Sequence, residues 1–303
     1  MQNFTYNHLN EFLKNKFGER VLKISVNGGF TCPNRDGKCG YGGCIFCGET
    51  GGSIQRETVS IKEQIQTHLA SYRGERANKF VVYFQNFTNT YAPHEELKQK
   101  YDEALSSSDK IVGLAIATRP DCIDEKVAEL ISSYKDRVCT WVELGFQTCN
   151  DKTASIINRG YTKKVFEKAV SILNLYDIDI VTHIMIGLPG EGEKDAIKTA
   201  KYLNKFNLSG IKLHSTYVLK NTRLGEMYLR DEYAPLELDD YIDTVIEILK
   251  VLNPKFIIHR ISGDAPKEDL LAPSWSLHKK LILNRVENYM QKNGIFQGMN
   301  YRG

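Results

Sequence analysis

From about residue 21 to residue 252, short apolar runs rich in Val and Ile alternate with stretches whose apolar positions recur every three or four residues. The runs at 21–26, 80–84, 111–117, 140–145, 178–186 and 210–214 predict strands. The stretches at 61–72, 95–104, 125–134, 163–175, 194–206 and 236–252 predict amphipathic helices. Strands apolar on both faces and separated by helices are the mark of a parallel α/β sheet. Ahead of them, 4–17 carries Leu9, Phe12, Leu13 and Phe17 at helical spacing and predicts a helix against the side or floor of the sheet. Behind them, 256–259 reads as a short strand and 274–292 as a last helix. The expected organisation is an N-terminal helical extension over 1–20, a main body over 21–252 and a C-terminal extension over 253–303.

Composition narrows the setting. The apolar share of 42% and charged share of 25% are those of an ordinary globular chain. No run approaches the roughly 18–20 apolar residues a membrane span needs, so no membrane is expected. Residues 1–10 lack the basic and apolar blocks of a signal peptide. Seven cysteines, odd in number and unevenly spaced, do not form a disulfide framework, and a cytoplasmic location is expected. The net charge of +3 is concentrated in the tail, where Pro254 to the end holds eight Lys/Arg against four Asp/Glu. Such a tail can meet phosphates or simply be a solvated basic helix.

The chemistry-bearing signal is the loop after the first strand. Cys44 and Cys47 form a Cys-x2-Cys pair, and Cys32 lies twelve residues ahead of Cys44 across a glycine-rich stretch. Thiolates suit iron–sulfur clusters, zinc and copper(I). Three thiolates on a four-iron cubane leave one iron free for a reactive ligand. Cys39 lies in the same loop, and four thiols could instead close a zinc site or a purely structural cluster. Zinc ribbons usually need two short-spaced pairs, and only Cys44/Cys47 has that spacing.

The loops at the carboxyl ends of parallel strands carry active sites in such folds. Here they read Cys32-Pro-Asn-Arg-Asp-Gly to Cys47, Tyr83-Phe-Gln-Asn-Phe-Thr-Asn-Thr-Tyr-Ala-Pro93, Thr118-Arg-Pro-Asp121, Val142-Glu-Leu-Gly-Phe-Gln147, Asn158-Arg-Gly160, His183-Ile-Met-Ile-Gly-Leu-Pro-Gly-Glu191 and Arg260-Ile-Ser-Gly-Asp264. Across essentially the whole chain this order resembles the radical S-adenosylmethionine (SAM) superfamily. It is most similar to the YhcC/YtqA-type family, related to the radical SAM domain of the Elongator catalytic subunit. The resemblance implies a partial (β/α)6 TIM-like barrel with an N-terminal helix and a C-terminal extension. It also implies a [4Fe-4S] cluster on Cys32, Cys44 and Cys47, with SAM on the open iron and Cys39 outside the ligand set. Phe46 would border the adenine, with Met185 and the apolar end of the fifth strand over one of its faces. Thr88 is assigned by position to the methionine amino group, although the glycines that relatives carry before it are Asn86 and Phe87 here. Glu143 and Gln147 would take the ribose hydroxyls and Arg159 the methionine carboxylate, with an ion pair inside the protein as the other reading. His183 and His214 would point toward cofactor or substrate, and Arg119 could bind either.

What the resemblance implies about function is cleavage of SAM to a 5′-deoxyadenosyl radical and modification of tRNA at the wobble uridine side chain. The expected step is from 5-carboxymethylaminomethyl- to 5-aminomethyluridine, with flavodoxin or ferredoxin as the kind of electron donor. The alternative is a radical SAM enzyme acting on a small molecule such as a tetrapyrrole. Arg260, Lys279, Lys280 and Arg285 are the residues expected to meet RNA phosphates.

Overall fold

The structure, a computed structural model, describes residues 5–49, 51 and 59–303. Phe4, at the start of the expected first helix, lies outside the described residues. Six parallel strands follow chain order across one sheet: β1 (Val21–Val26), β2 (Lys79–Phe84), β3 (Ile111–Thr118), β4 (Cys139–Gln147), β5 (Asp179–Ile186) and β6 (Gly210–Ser215). Past β6 comes β7 (Val218–Leu219), then β8 (Ile257–Arg260), which pairs parallel with β6 as the seventh strand of the sheet. β7 pairs antiparallel with β9 (Leu270–Ala272). The expected short strand at 256–259 is thus part of the main sheet, an open half-barrel of seven strands.

Ten helices are described: α1 (Leu9–Phe17), α2 (Ile61–Leu69), α3 (His94–Ser106), α4 (Glu125–Ser132), α5 (Asp151–Ile156), α6 (Lys163–Leu175), α7 (Glu193–Leu203), α8 (Arg223–Leu229), α9 (Leu238–Val251) and α10 (Lys279–Lys292). Local chemistry starts several of them. Ser60 and Glu63 exchange hydrogen bonds in a capping box ahead of α2, and the Asp124 carboxylate accepts from Val127 N–H at 2.8 Å to open α4. Two short helices, α5 and α8, interrupt segments that read as loops.

Alternation along the strands sorts the side chains. Phe80, Val82, Phe84, Leu114, Ile116, Val142, Leu144, Ile180, Ile211 and Leu213 face the helices in one large core. Val81, Tyr83, Ala115, Ala117, Trp141 and Val181 face the bore with Leu9 and Leu13 of α1, which closes it at the amino ends of the strands. The edge of β8 is covered in turn by the N-terminal segment. Ile258 N–H donates to the Asn7 carbonyl at 2.7 Å, and the Gln297 side chain ties Asn7 to the backbone of Asn253 and Phe256. With one end plugged, the bore opens only at the carboxyl ends of the strands. Among the described residues no helix is long and apolar enough to cross a membrane.

Candidate active site

The cysteine loop leaves β1 and folds back on itself. The Cys32 carbonyl accepts from Arg35 N–H at 2.8 Å, Cys39 N–H donates to Pro33 O at 2.8 Å, and Asp36 and Tyr41 form an antiparallel bridge. Buried Asn34 locks this hairpin to the rest of the site by donating from Nδ2 to the Asn158 carbonyl at 2.6 Å. Asn158 returns the contact, donating to Gly43 O at 2.7 Å. Gly40 packs so closely on Asn34 that a Cβ there would lie 2.4 Å from its Oδ1, so a side chain at this position would have to displace the Asn34 amide. The Arg35 guanidinium holds the far end of the loop by donating to Cys47 O and Gly48 O at 3.2 and 2.7 Å.

Cys32, Cys44 and Cys47 line one cavity at the carboxyl ends of the strands, while Cys39 is exposed and outside its lining. Cys122, Cys139 and Cys149 also lie outside it. The hydrogen bond between Cys44 and Cys47 favours the thiolate on Cys44 and holds the proton on Cys47. Among the described residues no three His, Cys, Asp or Glu side chains converge on a single metal ion. Three thiols lining one cavity suit a multi-iron cluster, in which each thiolate takes its own iron. The Thr88 hydroxyl supplies a second test of fit. It lines the cavity, is fully buried and has no hydrogen-bond partner among the described residues. An orphaned hydroxyl of this kind is costly unless a bound group satisfies it.

Phe46, Gln147, His183 and Met185 line the same cavity, with Arg119, His214, Arg260 and Asp264. Gln147 sits at a break in the β4–β5 register with φ of +61°, and Phe87 at the end of β2 has φ of +58°. Left-handed backbone at two non-glycine residues on one rim is the strain expected where side chains must be aimed.

Arg159 is placed elsewhere. It is fully buried, does not line the cavity, and donates to the carbonyls of Phe146, Thr148 (2.7 Å) and Tyr161 (3.0 Å). It thereby holds the β4 bulge rather than facing the space where SAM would lie. Arg119, by contrast, lines the cavity, gripped by Asp121 through two bonds of 2.9 and 2.7 Å and stacked 4.8 Å from the Tyr161 ring.

Deeper in the bore is a cluster of charges that sequence reasoning missed as a unit. Glu143, fully buried, receives Lys212 Nζ and His183 Nε2 on the same oxygen, each at 2.6 Å, and Trp141 Nε1 on the other at 3.1 Å. Lys23 and His259 stand 4.0 and 3.9 Å away, and Lys212 also donates to Tyr83 Oη at 2.9 Å. Burial alone would raise the Glu143 carboxyl, but Lys212, Lys23 and His183 overcome it and hold it well below the usual carboxylate range. Burial brings Lys212 down to about 7 against the pull of Glu143. It brings His183 down to about 4, helped by the Lys212 charge. Glu143 is therefore held by the protein as an ion-pair centre, and it still borders the cavity floor. No signal near Lys212 in the sequence announces this, because its counter-charge lies 69 residues away on another strand.

At the rim, Asp264 pairs with both Arg260 and Lys279, and Arg285 pairs with Asp239 at 2.6 Å. Of the four basic residues expected to meet RNA, Lys280 alone has no acidic partner among the described residues.

Comparison with known proteins agrees with this geometry. The radical SAM superfamily matches residues 32–203, and the radical SAM C-terminal domain matches 208–292. The chain is 36% identical over 298 residues to YtqA of Bacillus subtilis, spanning 97% of this chain and 92% of that protein. It is 30% identical over 204 residues to the tRNA uridine(34) acetyltransferase of Methanocaldococcus jannaschii, spanning 66% of this chain and 36% of that protein. The fold is similar to that of the archaeal Elp3 of Methanocaldococcus infernus, with a TM-score of 0.67 and 20% identity over 91% of this chain and 64% of that one. The chain belongs to the radical SAM superfamily, whose enzymes use a [4Fe-4S] cluster and SAM.

Proposed function

We propose that this radical SAM enzyme acts on tRNA, converting the wobble uridine side chain from 5-carboxymethylaminomethyl to 5-aminomethyl. The observation that carries the reading is the single cavity at the strand ends, which joins three cysteine thiols to an orphaned Thr88 hydroxyl and to a floor of histidine and lysine. Similarity to a tRNA uridine(34) acetyltransferase and to Elongator complex protein 3 supports a tRNA substrate.

Cys32, Cys44 and Cys47 would hold the cluster, and the cavity they share with the ends of β4 and β5 would take SAM. Bound and reduced, this pair would supply radical chemistry able to abstract a hydrogen atom from the substrate side chain. The protein's own part is positioning. Thr88 Oγ1 is available to the methionine amino group, Phe46 and Met185 border the adenine, and Gln147 faces the ribose. Arg119, lining the cavity beside Tyr161, takes the methionine carboxylate in place of Arg159. Tyr83, Tyr217 and Leu219 narrow the remaining space and limit water around a reactive carbon centre. A flavodoxin- or ferredoxin-type protein would deliver the electron.

Nucleoside mass spectrometry of tRNA from cells with and without the gene tests the reading. Loss of the gene should accumulate the carboxymethylaminomethyl nucleoside and deplete the aminomethyl one. An unchanged nucleoside profile, with a changed small-molecule pool, would transfer the activity to a small substrate.

A further inference from the structure

His183 and Lys212 are directly opposed across β5 and β6, and Met185 is likewise opposed to His214 two residues on. Paired residues of a parallel sheet share a face, and neighbouring strands lie about 4.8 Å apart. His183, Lys212 and His214 therefore form a compact triangle on the cavity wall, and all three line the cavity.

The hydrogen bonds set what each member of the triangle offers. Ionised Glu143 has no proton to give, so the 2.6 Å contact is donated by His183 Nε2–H. A backbone carbonyl has none either, so His214 Nδ1–H donates the 2.8 Å contact to Ser215 O. Burial keeps both rings neutral, His214 being brought down to about 3 with help from the Arg260 charge. The other ring nitrogens, His183 Nδ1 and His214 Nε2, are then lone-pair acceptors with no protein partner among the described residues. Lys212 is the opposite case. An ammonium has three protons, and Glu143 and Tyr83 account for two. The third is available, on the one cation of the triangle.

The geometry points to a substrate subsite for a zwitterionic N-alkylglycine group, with His183 Nδ1 and His214 Nε2 accepting the two N–H bonds of a secondary ammonium and Lys212 donating to the adjacent carboxylate. The inference rests on the proposed function, whose substrate side chain has this form, and adds the residues that select it. Met185, two residues past His183 and opposed to His214 across β5 and β6, adds apolar surface beside the triangle. The subsite would prefer the carboxylate over its neutral amide, and the alkylglycine over an amine lacking the acid.

The test measures binding to the anaerobically prepared, cluster-loaded enzyme with SAM. One pair of probes is an anticodon stem-loop bearing 5-carboxymethylaminomethyluridine and the same stem-loop with the carboxylate converted to its amide. The other pair is N-benzylglycine and benzylamine. The wild type should bind each acid at least about tenfold more tightly than its neutral or truncated counterpart. Lys212→Met leaves Glu143 buried without its main counter-charge and can unfold the protein. The paired change Lys212→Met with Glu143→Gln removes both charges, and with it the acid preference should fall to near one. His214→Phe should weaken N-benzylglycine about tenfold. Equal binding of acid and amide by the wild type, or a preference that survives the paired change, overturns the subsite. If neither stem-loop binds while N-benzylglycine is still preferred, the subsite stands and the tRNA reading falls. If tight stem-loop binding ignores the carboxylate, the tRNA reading stands and the subsite falls. If no probe binds, both fall.

Discussion

His183 and Lys212 share one acceptor, the Oε2 atom of Glu143 on β4, which each approaches to 2.6 Å, His183 from the adjacent β5 and Lys212 from β6 beyond it. The shared oxygen fixes the tautomer of the histidine and the direction of the ammonium in one stroke. It also makes Glu143 the point on which the bore depends. Glu143→Ala would leave Lys212 buried without its main counter-charge, a change that typically costs about 3–5 kcal/mol. Denaturant titration should show that loss. Adding Lys212→Met should restore much of it, because the second change removes the uncompensated charge.

The same pair predicts how stability depends on pH. In the unfolded chain Lys212 keeps its proton up to its ordinary value of 10.5, whereas in the fold it loses it near 7. Between those values the unfolded state binds more protons, so this group makes stability rise with pH, by at most about 1.4 kcal/mol per pH unit. Glu143 acts in a different window. Its depressed carboxyl contributes stability above the ordinary carboxylate range, and that contribution is lost as pH falls through its folded value. Comparing wild type with Lys212→Met/Glu143→Gln by denaturation from pH 7 to 10 should show a smaller upward slope in the variant. Parallel slopes would mean that Lys212 keeps its proton in the fold.

How far the sequence announces this site depends on the distance between partners. β1 to β6 are legible because each is a run of Val, Ile or aromatic residues between helical stretches. β8 is harder to place, since four residues cannot show whether they join the main sheet or stand outside it. The choice of Cys32 over Cys39 as companion to the Cys44/Cys47 pair rests on the family resemblance, whereas the pair itself is legible from its spacing. The charged floor is not, since Lys23, Tyr83, Glu143 and Lys212 come from four strands and only the fold brings them together. Arg159 shows the converse error. Its type suits a carboxylate, but the bulge at Gln147 leaves the Phe146 and Thr148 carbonyls turned out of the ladder, and the guanidinium is spent on them.

Cys39 is exposed at the hairpin while the other three thiols of the loop face the cavity. Cys39→Ser should therefore keep the iron content, the brown absorbance and SAM cleavage of the wild type. Serine at Cys32, Cys44 or Cys47 should lose all three. Loss of iron in the Cys39 variant would place that thiol in the ligand set.

Asp264 pairs with both Arg260 and Lys279, whereas Lys280 has no acidic partner among the described residues. If the rim meets RNA, Asp264→Asn should release two cations, tightening tRNA binding and steepening its dependence on salt by up to about two in the log–log slope. Lys280→Glu should weaken binding and flatten the slope by about one. Affinities at several salt concentrations check both, and unchanged slopes would place the RNA on another face.

Gly263 sets the position of the His214 and Tyr217 rings on the cavity wall. A Cβ built there would lie 2.7 Å from His214 Cε1 and 2.9 Å from Tyr217 Cε1, closer than ordinary contacts allow. Both rings line the cavity, so Gly263→Ala must push one or both of them into it. No cysteine and no atom of Thr88 is among the nearest contacts such a Cβ would make, so cluster content and cleavage of SAM without substrate should remain. Misplacing a substrate-facing group by a fraction of an ångström to an ångström can cost one to two orders of magnitude in rate. Substrate turnover should accordingly fall at least about tenfold, and the ratio of 5′-deoxyadenosine formed to product formed should rise by a similar factor. A variant in which SAM cleavage and turnover fall together would mean that this wall serves the cofactor and not the substrate.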